Sequence, residues 1–151
     1  MAVARVQSVN VTGTSSTTGA SGAWSANTAG NLLVLLVAHN TNASTVSGVA
    51  DTLGNTWTYV RRQTASSNRT IELWYVANCL GGANTVTVTW SGSVTTQGHL
   101  WEYAKERARA RQGKGPGPED SFRCALAALT SFEVDFGIGV SWQVSRDGAA
   151  Q

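Results

Sequence analysis

Charge is scarce in this chain. Asp, Glu, Lys and Arg make up 13% of its 151 residues, and the formal net charge is only +2. No global field therefore argues for nucleic acid or an anionic membrane as a partner. Cysteine occurs twice, at Cys79 and Cys124, in neither a CxxC nor a metal-ligand spacing. One disulfide and two free thiols both stand open. The longest apolar run, Leu32 to Ala38, is too short for a membrane span. The opening MAVARVQSVN has no apolar core of a signal peptide. His39 and His99 are the only histidines, and nothing spaces them as ligands. GxSxG, GxGxxG, P-loop and zinc-knuckle patterns are all missing, which argues against a serine hydrolase and against the nucleotide and metal classes those motifs mark. No cofactor is implied.

Ser, Thr, Gly, Val and Asn dominate instead, with six tryptophans. This is the composition of an all-β domain, and the length fits a single one, residues 1–151. The stretch 71–90, IELWYVANCLGGANTVTVTW, organises the reading. Two period-2 runs joined by a Gly/Asn connector predict an antiparallel hairpin, with positive φ available at the glycines. Upstream, Val3 to Thr12 reads as a strand and residues 13–30 as a Ser/Thr/Gly connector carrying Trp24. The continuous apolar run from Leu32 reads as a strand buried on both faces. Val46 to Ala50 is a short strand before a tight turn at Asp51–Asn55, and Thr56 to Gln63 follows. Ser91 to Thr96 reads as another turn. Gln97 to Ala104 is then a strand with His99, Trp101 and Tyr103 on one face and Leu100 and Glu102 on the other.

The composition breaks after Ala104. Residues 105–120 hold both prolines and five of the eleven basic side chains, with no Ser or Thr. They read as a solvated, mobile basic insert. A basic arm toward nucleic acid or an acidic glycan and a reading-frame slip are the competing explanations. Phe122 to Leu129 is compatible with a helical turn or a strand. From Phe132 to Val144 seven apolar residues alternate without a break, predicting a half-buried strand. About eight strands without intervening helices predict an antiparallel β-sandwich or jelly-roll. Exposed sheet edges in such a fold invite homo-oligomers.

The segments AGNLLVLLVAHN, DTLGNTWTYV, IELWYVANCLGGANTVTVTW and LWEYA resemble a β-sandwich module of bacterial surface, secreted and phage-associated proteins. The resemblance covers about residues 29–104 and returns weakly near 128–140. It implies the sandwich fold and a display or binding role in an extracellular or virion-associated setting. It supplies no catalytic residues.

Two chemistries follow from the residues themselves. Aromatic rings on an exposed sheet stack on sugar rings, and six tryptophans exceed what a core of this size requires. Trp90 and Trp142 continue apolar faces, so Trp24, Trp57 and Trp74 are the candidates for binding a polysaccharide or cell-surface glycan. The alternative is a small jelly-roll glycoside hydrolase. Glu72 and Glu102, the only glutamates before residue 105, lie mid-strand beside aromatics and would serve as acid and nucleophile or base. Carboxyl separations of about 5–5.5 Å suit retention and about 6.5–9.5 Å inversion. The plainer role for each is a solvated glutamate or one paired with Arg61 or Arg62.

Overall fold

The computed structural model describes residues 4–22, 24–65, 68–104, 133–135 and 141–143, the last two segments through their backbone alone. Ala4–Lys105 forms one compact unit, and Met1–Val3 with Glu106–Gln151 forms another. The described residues are all-β and contain no helix. The first unit holds β1 (Ala4–Ser21), β2 (Leu32–His39), β3 (Val46–Asp51), β4 (Thr58–Ala65), β5 (Arg69–Val76) and β6 (Val86–Ala104). They make a single antiparallel sheet of order β1-β6-β2-β5-β4, with β3 paired to β6.

The long strand β6 explains the shape of this sheet. Nineteen residues in one strand would extend about 60 Å, roughly twice the width of a hundred-residue domain. A strand of that length has to curve around its own core. Along one edge β6 pairs with β3 over Val86–Trp90 and with β2 over Thr96–Tyr103. Its other edge is lined by β1, whose register jumps from Ser16↔Val94 to Thr18↔Thr89 where β6 changes partner. Such bulges bend a strand and sharpen its twist. Through the bend the even-numbered side chains of β6 keep facing inward, from Val86 and Val88 to Leu100 and Glu102.

Strand β2 is buried because both its edges are paired and both its faces carry larger neighbours. Leu33, Leu35 and Val37 join Val11, Val76, Val86, Val88, Trp90 and Leu100 in one core. Each such side chain contributes roughly 1.5–3 kcal/mol through burial. Close approach of β2 and β6 depends on Gly98: a Cβ there would stand 2.6 Å from the Leu36 carbonyl oxygen and 2.9 Å from Val37 Cγ1.

Several expectations are corrected. Residues 71–90 are not a hairpin: β5 pairs with β2 and β4, and β2 lies between β5 and β6. Period-2 alternation specifies that two segments are strands but not that they are partners. The true hairpin of this region is β4–β5. The expected turn at Ser91–Thr96 is continuous strand, because alternation keeps its parity straight through Gly92. Likewise β1 runs nine residues beyond Thr12 into the Ser/Thr/Gly stretch, where β6 supplies its hydrogen-bonding partner. The alternating run from Phe132 contains two short strands, β7 (Glu133–Asp135) and β8 (Ser141–Gln143), paired antiparallel with Val134 opposite Trp142. Two strands whose connection preserves parity have the same pattern as one long strand. The basic segment 105–120, Phe122–Leu129 and Cys124 lie outside the described residues.

Candidate functional site

Strand pairing sorts the side chains onto two faces, since directly opposed residues in an antiparallel pair share a side. The inner face takes Gln7, Val9 and Val11 of β1, Leu33, Leu35, Val37 and His39 of β2, and the even residues of β5 and β6. Both glutamates lie there, and neither is solvated: Glu72 is 2% exposed and Glu102 0%.

Glu102 anchors a loop. Its carboxylate accepts hydrogen bonds from Gln7 Nε2 (2.5 Å), the Thr28 backbone N–H (2.8 Å) and Asn31 Nδ2 (2.6 Å). The loop is stitched further by paired backbone bonds between Asn27 and Gly82, while the Cys79 N–H donates to the Asn31 carbonyl and the Cys79 carbonyl accepts from the Gly30 N–H. Its neighbour Cys79 is a buried free thiol whose Sγ lies 3.3 Å from the Thr28 carbonyl. Burial, with the Glu102 charge second, pushes that thiol up to about 11. Trp101 and Tyr103 do not surround Glu102 as their sequence proximity suggests, because consecutive strand residues point to opposite faces.

Glu72 sits at the other end of β2. One of its oxygens accepts from the Val46 N–H at 3.0 Å and lies 3.7 Å from His39 Nε2. Arg62 is its cross-strand neighbour on β4, yet that guanidinium donates to the carbonyls of Asn42 (2.8 Å) and Ser44 (3.0 Å). Arg61 is on the opposite face, beside Leu73.

The two acids therefore share a face without meeting. Glu72 is opposite Val37 and Glu102 is opposite Leu33, four residues apart along β2 and on either side of it. At strand spacings of about 4.8 Å and about 3.3 Å per residue, their Cα atoms are about 16 Å apart. Their carboxylates reach toward opposite ends of β2, one to the 27–31 loop and one to the start of β3. A hydrolytic pair needs a carboxyl separation below about 10 Å, and this arrangement gives the hydrolase reading no support.

Trp24, Trp57 and Trp74 are half-buried, each packed against the core cluster. Trp57 is the indole hydrogen-bonded to Asp51: its Nε1 donates to Oδ2 at 3.0 Å. The same carboxylate accepts from the backbone N–H groups of Leu53 and Asn55 and from Asn55 Nδ2. It thereby holds the Asp51–Asn55 turn, where Gly54 takes φ +77°. Trp74 is capped edge-on by Tyr59, their centroids 5.2 Å apart. Trp90 is buried in the core, and the Trp142 side chain lies outside the described residues.

The opposite face has a different character. From β1 to β4 it presents Arg5, Ser8, Asn10 and Thr12, then Tyr103, Trp101, His99 and Gln97, then Leu32, Val34 and Leu36, then Tyr75, Leu73, Ile71 and Arg69, and at the edge Arg61 and Gln63. Trp101, His99, Tyr103 and Tyr75 are half-buried there, while Arg5, Ser8, Asn10 and Thr12 are exposed. The rings of His99 and Trp101 run nearly parallel, 22° apart with centroids at 5.4 Å. Partial burial lowers the His99 pKa and raises that of Tyr103, the latter opposed by Arg5. The shared face of His99, Trp101 and Tyr103 was legible in the sequence.

No protein-family model matches the chain, and no curated protein or solved structure matches it either. Among the described residues no helix is long and apolar enough to cross a membrane, and no three His, Cys, Asp or Glu side chains come together as a metal site.

Proposed function

We propose that this chain is a non-catalytic module that binds polysaccharide along the β1–β6 side of the outer face of its sheet. One observation carries the reading: β6 sets His99, Trp101 and Tyr103 in a row, with hydrogen-bonding Ser8, Asn10, Thr12 and Gln97 along one side. Sugars offer the matching chemistry, apolar C–H faces for the rings and hydroxyls for the polar border. The inner carboxylates supply no catalysis in this reading, since each is engaged in holding a loop or a strand end. The sugar-binding role passes from Trp24, Trp57 and Trp74 to Trp101 and its neighbours.

The same reading places the sheet within a β-sandwich or jelly-roll related to the surface and phage-associated modules its sequence resembles, displayed outside the cell or on a virion. Pairing through the edges of β1 and β4, which have no further partner strand among the described residues, would add avidity on a repeating polymer.

Affinity electrophoresis through gels containing soluble polysaccharides tests the proposal. The wild-type chain should be retarded, Trp101→Ala should migrate freely, and Trp57→Ala, if folded by circular dichroism, should retain binding. Absence of retardation on every glycan would remove the proposal.

A further inference from the structure

We draw no further inference here: the strongest candidate, the aromatic surface patch that Tyr59, 49% exposed, forms with Trp74 at the β4 end of the sheet, carries none because nothing in the structure shows what covers it.

Discussion

Trp101 and Glu102 are consecutive residues of β6 that stand on opposite sides of the sheet, the indole half-buried among aromatics and the carboxylate fully buried among amide donors. Chemistry that looks contiguous in the chain is divided by one step of the pleat. The division leaves the anchoring carboxylates on one face and sets the rings of His99, Trp101 and Tyr103 on the other.

Replacing Glu102 should cost stability rather than an activity. Glu102→Ala strands the donors of Gln7, Thr28 and Asn31 in a buried site, and a loss of about 3 kcal/mol is expected. Urea denaturation should show a lower midpoint. Proteolysis within 24–31 should accelerate as the loop loses its anchor.

Asp51 offers a parallel case at an exposed turn. Its carboxylate accepts four hydrogen bonds within six residues of itself, so Asp51→Ala should unfasten both the turn and Trp57. A destabilisation of about 2 kcal/mol should accompany a change in Trp57 fluorescence, which a Trp57→Phe background would abolish.

Gly98 is a packing requirement. Adding one methyl group drives it into the Leu36 carbonyl, and backbone cannot yield as a flexible side chain does. Gly98→Ala should lose about 1–3 kcal/mol, read as a lower thermal midpoint, while Gly48→Ala, with open space around its Cβ, should change little.

The Cys79 thiol should resist alkylation in the folded protein until the pH approaches 11, against 9.0 for an ordinary thiol. Linkage has a definite sign here. Between pH 9 and about 11 the unfolded chain releases this proton and the folded chain keeps it, so the free energy of unfolding falls as the pH rises. The stability contribution is complete below pH 9 and is lost toward pH 11. Denaturation midpoints of wild type and Cys79→Ser across that range should converge.

Much of the first unit was legible in the residues. Leu32–Ala38 marked the central strand because only a segment covered on both faces tolerates seven consecutive apolar side chains. The parity of Gln97–Ala104 placed His99, Trp101 and Tyr103 together. Partnership was less legible. The 71–90 segment holds two strands that do not pair with each other, since a nine-residue connector is long enough to carry the chain past β2 and local pattern has no memory of what passes between. Strand length was also understated, because Ser91–Ser93 and Thr14–Thr18 have turn-like composition and become strand only by pairing along β1 and β6. Counting indoles singled out Trp24, Trp57 and Trp74, whereas the polar border of Ser8, Asn10 and Thr12 beside the rings of β6 exists only once β1 and β6 are paired.

The most direct test follows backbone amides of ¹⁵N-labelled protein during titration with an oligosaccharide of the polysaccharide that retards the wild-type chain. Shifts confined to Arg5–Thr12 of β1 and Gln97–Tyr103 of β6 are the expected result. Shifts centred instead on Trp24, Trp57 and the Asp51 turn, or on His39 and Glu72, would contradict an outward-facing binding surface.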